Sequence, residues 1–125
     1  MRNNLFTTEN NVEKHNQYHR QISVHINLSK EKFSFIIDTD TKCLDATSLC
    51  ILQNKNLSVW ENLPRTKELI NFYSQTKSSF HQYHVGYGVN KHLFIIKELF
   101  IDLSFWISPQ CYYACCILFL TFNNL

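Results

Sequence analysis

The strongest constraint on this chain is a pair of short apolar runs held apart by a polar loop. Ile22-Ser23-Val24-His25-Ile26 alternates apolar and polar residues, the period-two pattern of a half-buried strand. Phe33-Ser34-Phe35-Ile36-Ile37 is aromatic and β-branched, and Asn27-Leu28-Ser29-Lys30-Glu31-Lys32 between them is a polar turn. Two such runs around a short polar loop predict a β-hairpin. Similar signals recur downstream. Residues 66–73 can extend as a strand, 74–79 form a polar tip and 80–87 return, which predicts a second hairpin. Residues 92–96 and 99–101 are short apolar strand candidates, residues 45–52 suit a short strand or one helical turn, and Pro64 punctuates the chain. Many short strands with turns between them predict an all-β domain.

A chain of 125 residues has room for one core, which would bury roughly two-thirds of the unfolded chain's surface. Hydrophobic residues at 45% and aromatics at 14% are ample for folding. Two glycines fall far below the usual share, so turns needing positive φ must use Asn, Asp or strained residues. The net charge of +2 is mild and the lysines are dispersed, so electrostatics announce no nucleic-acid partner. Residues 1–20 are polar and aperiodic and read as a flexible lead-in. They carry no apolar run behind Arg2, so no secretory signal is expected, and a cytoplasmic, reducing setting follows. Five cysteines in no paired metal spacing then read as buried or free thiols, and the sequons at Asn27 and Asn56 as chance matches.

The element richest in chemistry is the apolar strand Phe35-Ile36-Ile37 running into Asp38-Thr39. A carboxylate where a buried strand opens into a loop is held rigidly near low dielectric, as an acid or base requires, although turn-forming and capping carboxylates share that position. What surrounds it, over about residues 22–118, resembles the retropepsin-type aspartic proteases of gypsy-like retrotransposons. Val24-His25-Ile26, then residues 33–37, then Asp38-Thr39-Asp40-Thr41-Lys42-Cys43 are similar to that family's hairpin and Asp-Thr-Gly loop. Residues 63–73, with Thr66-Lys67-Glu68-Leu69 at their centre, resemble its flap approach, and Pro109-Gln110-Cys111 the remains of its later Leu-Gly segment.

The resemblance implies a small barrel over residues 21–118, with a flap hairpin, one short C-terminal helix and a tail over 119–125. It implies a homodimer in which Asp38 from each copy shares a proton above a water, hydrolysing peptides without metal or cofactor. Thr39 would brace the loop, and Leu69, Ile70, Phe72 and Tyr73 in a flap over 66–80 would touch substrate. Asp40 replaces the family's glycine, however, and its added charge and Cβ imply weak or absent activity. Nucleic acid is not an expected partner of such a protein.

Other chemistry finds less support. His15 and His19 are four apart and His81 and His84 three apart, but no organised partner accompanies them, so no metal site is expected. Gly86 and Gly88 build neither a serine-hydrolase elbow nor a phosphate loop. Phe72, Tyr73, Phe80, Tyr83 and Tyr87 read as core rather than as a base-stacking surface. The alternative function rests on residues 103–122, which carry no charge and are long enough to span a bilayer, making a tail-anchored membrane or interaction protein.

Overall fold

A computed structural model of the chain describes residues 6–12, 20–77 and 82–122. Its centre is the hairpin formed by β2 (Arg20–Leu28) and β3 (Glu31–Asp38), turning at Ser29-Lys30. Ile22 lies opposite Ile37, Val24 opposite Phe35 and Ile26 opposite Phe33. Alternation therefore gathers these six apolar residues on one face, where Val24, Ile26, Phe33, Phe35 and Ile37 are buried. The strand β1 (Phe6–Val12) pairs antiparallel with β2 along its whole length. That stretch lies within the polar lead-in; an outer strand needs a backbone ladder more than apolar side chains, and β2 offers one. Beyond β3 come β4 (Leu44–Asp45), β6 (His92–Ile95) and β5 (Gln82–Val85), completing an antiparallel sheet ordered β1-β2-β3-β4-β6-β5.

The domain is not all-β, because five α-helices among the described residues accompany the sheet: α1 (Ala46–Leu52), α2 (Leu57–Glu61), α3 (Pro64–Thr76), α4 (Lys97–Ile107) and α5 (Pro109–Thr121). The expected flap hairpin is replaced by α3. Pro64 sits in its first turn, where a missing N–H is harmless. Its less exposed positions Thr66, Leu69, Ile70 and Tyr73 recur at the three-to-four spacing of a helix face. A strand would have scattered them over both faces of a sheet.

The single short C-terminal helix is likewise corrected to a pair. Ser108-Pro109 breaks the uncharged run: Pro109 cannot continue α4 but opens α5, whose Cys111 N–H is capped by Ser108 Oγ at 3.0 Å. Among the described residues, no helix is long and apolar enough to cross a membrane. Instead α4 buries Leu99, Phe100, Leu103 and Ile107, and α5 buries Cys111, Ala114, Cys115 and Leu118, each set at helical spacing. Phe100 meets Phe35 edge-on at 5.8 Å, tying α4 to the sheet's apolar face.

The glycine shortage leaves its mark on the turns. Ser29, Lys42 and Asn54 all hold positive φ, at 54°, 67° and 55°. Asn tolerates that conformation best; Ser29 and Lys42 store about 1 kcal/mol or more each.

Candidate functional site

The sheet's second face carries the polar groups. Alternation places Gln21, Ser23, His25, Ser34, Ile36, Asp38, Asp45, Phe94 and Tyr83 there. Asp38, the candidate acid, is fully buried at the end of β3. Its Oδ1 accepts the backbone N–H groups of Asp40 at 2.9 Å and Thr41 at 3.3 Å, which folds the loop back on the strand. Its Oδ2 accepts the Tyr83 hydroxyl at 2.6 Å. With that proton committed, the contact of 2.6 Å between Tyr83 Oη and Thr41 Oγ1 has the threonine donating. Burial, then the bond to Asp38, pushes the Tyr83 phenol well above its ordinary range. Tyr83 also stacks on Phe94 at 5.5 Å, with ring planes 7° apart. The carboxylate thus ties two loop residues, Asp40 and Thr41, to a hairpin distant in sequence. Thr39 lies beside it, half-buried in the turn.

A second pair secures the same hairpin. Asp45 caps α1 by accepting Ser48 N–H at 2.9 Å, while His92 Nδ1 lies 2.8 Å from its other oxygen. Burial raises the Asp45 pKa; the Ser48 and His92 interactions lower it but do not prevail. Leu93 N–H donates to Thr47 Oγ1 at 2.8 Å, so α1 and β6 are joined again one residue on.

The helices present a different surface. Asn56 caps α2 through Ser58 N–H at 3.0 Å, and only Asn62 and Leu63 separate α2 from α3. Trp60, buried, donates its indole N–H to Asp102 of α4 at 3.0 Å, and Arg65 reaches the same carboxylate at 3.3 Å. Lys77 pairs with Glu98 at 2.9 Å. Both ends of α3 are therefore anchored on α4. Leu69, Ile70 and Tyr73, expected in the flap, face inward along this helix; Phe72 is exposed and meets Tyr73 edge-on at 5.2 Å. Outward stand Lys67, Asn71 and Gln75, successive i, i+4 positions that form one exposed stripe.

The β5–β6 hairpin follows α3. Its tip is a 3-10 turn, Gly88–Asn90, preceded by Gly86 at φ +95°. A Cβ on Gly86 would lie 2.5 Å from the Asn90 carbonyl oxygen, so the tight return depends on glycine. Tyr87 and Val89 are 91% and 101% exposed, with exposed Lys91 beside them. Tyr87, expected in the core, is on the surface, and Tyr83 is in the polar network. Phe80, His15, His19 and His81 lie outside the described residues, while His84 is exposed on β5. No cluster of three or more metal-ligating side chains occurs among the described residues.

A short helix, a tight turn, an anchored helix with a polar outward stripe and a hairpin with an exposed tip define a mixed α/β domain whose buried carboxylates are employed in bracing. The sequence pattern of the KilA-N domain matches residues 28–124, and the chain belongs to the KilA-N family. It is 30% identical over 93 residues to KilA-N domain-containing protein 006L of Invertebrate iridescent virus 6, covering 66% of this chain and 26% of that protein. Protein 313L of the same virus is 28% identical over 94 residues, with the same coverage of each, and protein 315L is 29% identical over 84, covering 61% of this chain and 35% of that protein. The chain thus spans about a quarter to a third of the length of these relatives. No solved structure matches it.

Family membership corrects the retropepsin reading, and with it the expected peptide hydrolysis and the protease-type partners. It also overturns the exclusion of nucleic acid, since KilA-N domains are generally nucleic-acid binding. The outward face of α3 went unnoticed because residues 66–73 were read as a strand of the flap, and the hairpin tip at Gly88–Asn90 lay beyond the elements expected. The signal was present in Pro64 followed by apolar residues at helical spacing.

Proposed function

We propose that this domain binds double-stranded DNA, with the outward stripe of α3 entering the major groove and the β5–β6 tip contacting the flanking backbone. The observation that carries this reading is the match to the KilA-N domain over residues 28–124. The surface chemistry agrees with it. Lys67 and Lys91 are exposed cations suited to phosphates, and Arg65 keeps a side chain 75% exposed despite its ion pair. Asn71 and Gln75 carry the carboxamides that read adenine edges. A helix, short turn and second helix followed by a hairpin supplies one element for a groove and another for the backbone.

The net charge of +2 implies that non-specific affinity is modest. Recognition therefore depends on base contacts more than on bulk electrostatics. The cysteines Cys43, Cys50, Cys111, Cys115 and Cys116 form no disulfide, which favours a reducing, cytoplasmic setting for this activity. The test is a duplex selection from a random pool, followed by fluorescence anisotropy with Lys67→Glu and Asn71→Ala. Lys67→Glu weakens all duplexes alike, whereas Asn71→Ala loses about 1–3 kcal/mol on the selected site and relaxes specificity. Failure to enrich any sequence, together with no binding at low salt, refutes the proposal.

A further inference from the structure

From Gln82 to Ile95 the β5–β6 hairpin holds no Asp or Glu, and Lys91 beside the tip is exposed, as is His84 on β5. At the tip stand Tyr87 and Val89, the two most exposed large hydrophobic residues among those described. Gly88 between them faces open space, with no atom within 4 Å of a Cβ built there. Their backbone is nevertheless fixed. Asn90 N–H donates to the Tyr87 carbonyl at 3.0 Å and Lys91 N–H to that of Gly88 at 3.2 Å, while antiparallel pairing from Gln82–Ile95 to Val85–His92 holds the two strands together. At the base, the Tyr83 hydroxyl donates to Asp38 and the His92 ring lies against Asp45, both carboxyl groups being buried.

Single exposed apolar side chains are ordinary on a protein surface. Here an aromatic and a branched side chain share the end of a braced hairpin, where none of the described residues covers them. A turn held in advance loses little further freedom when it meets a partner. The lack of acid along the hairpin suits a polyanion, and Lys91 suits its phosphates. Tyr87 and Val89 gain nothing from a phosphate. The surface of a duplex that suits them is the face of a base, reached when a step is partly unstacked from the minor groove. Resting on the duplex-binding reading above, we infer that Tyr87 and Val89 wedge into one base step in the minor groove flanking the α3 contact, with Lys91 on the adjoining phosphate. Pyrimidine–purine steps, TA and CA/TG, kink and unstack most easily, so the tip selects such a step without hydrogen-bonding to its bases.

The experiment uses the full chain and a duplex selected from a random pool, with 2-aminopurine placed in turn at each flanking position. Wild type raises the fluorescence at one flanking step, and exchanging a pyrimidine–purine step there for AA weakens its binding about fivefold or more. The double variant Tyr87→Ala, Val89→Ala loses the rise, binds the selected duplex about fivefold or more weakly, and no longer distinguishes the two steps. Both side chains are exposed, so the variant keeps the wild-type circular dichroism and melt; where it does not, the wild-type fluorescence map and step exchange decide. No rise with wild type at any flank, a rise that persists in the folded double variant, or a smaller loss of affinity in that variant overturns the wedge. Lys67→Glu separates the two readings. Duplexes that bind, weaken with Lys67→Glu and show no rise leave α3 in the groove and remove the wedge alone, whereas no duplex binding at low salt removes both.

Discussion

Replacing Tyr83 by Phe removes one oxygen from the link between the β3–β4 loop and the β5–β6 hairpin. The hydroxyl donates to Asp38 Oδ2 at 2.6 Å and receives Thr41 Oγ1 at 2.6 Å. The ring, stacked on Phe94, remains. A hydrogen bond to a carboxylate is worth about 1.5–3 kcal/mol, and here its loss strips a donor from a carboxyl group that is fully buried. The backbone N–H bonds on Oδ1 persist, so the lower part of that range applies, about 2 kcal/mol. For a domain of this size, that lowers Tm by roughly 8 °C. Urea denaturation followed by circular dichroism measures it directly. A double-mutant cycle with Asp38→Asn separates the pair from incidental changes and should give a coupling energy of about 1 kcal/mol or more. A midpoint for Tyr83→Phe equivalent to a loss under about 0.5 kcal/mol, with additive cycles, would refute the bracing role of Asp38.

The two glycines should respond unequally to alanine. Gly86→Ala sets a Cβ against the Asn90 carbonyl oxygen at φ +95°, whereas Gly88, at φ +57°, has open space around it. Gly88→Ala therefore costs about 1 kcal/mol from the backbone alone, and Gly86→Ala clearly more, as paired thermal melts would show. Asp45 gives a pH signature. Its folded pKa is raised above the ordinary 3.8, first by burial, so the folded state holds the proton more tightly than the unfolded chain. Its contribution is full below about pH 3.8 and lost as pH rises through the folded value. In urea titrations from pH 3.5 to 7, the wild type loses stability relative to Asp45→Asn as pH rises; a constant difference across that window contradicts the assignment.

The central hairpin was legible because alternation in Ile22-Ser23-Val24-His25-Ile26 reports one buried face, and Phe33 to Ile37 completes it. The helices were harder to read. In residues 66–73, β-compatible Thr66, Ile70, Phe72 and Tyr73 outweighed the spacing that marks α3, and propensity yielded to packing against α4. In residues 103–122 the absence of charge suggested one span, while Ser108-Pro109 divides it into α4 and α5. Asp38 was legible as a special residue but not as a brace, because its decisive partner, Tyr83, lies 45 residues away in sequence. The exposed stripe of Lys67, Asn71 and Gln75 becomes a surface only once the segment is helical.

The most direct test of the DNA-binding account is the salt dependence of duplex affinity for the wild-type chain and Lys67→Glu, measured by anisotropy on a selected site. If Arg65, Lys67 and Lys91 each neutralise one phosphate, log K against log salt has a slope near −3, and Lys67→Glu flattens it by about one. A slope near zero, or a slope unchanged in Lys67→Glu, would contradict α3 as the contact surface.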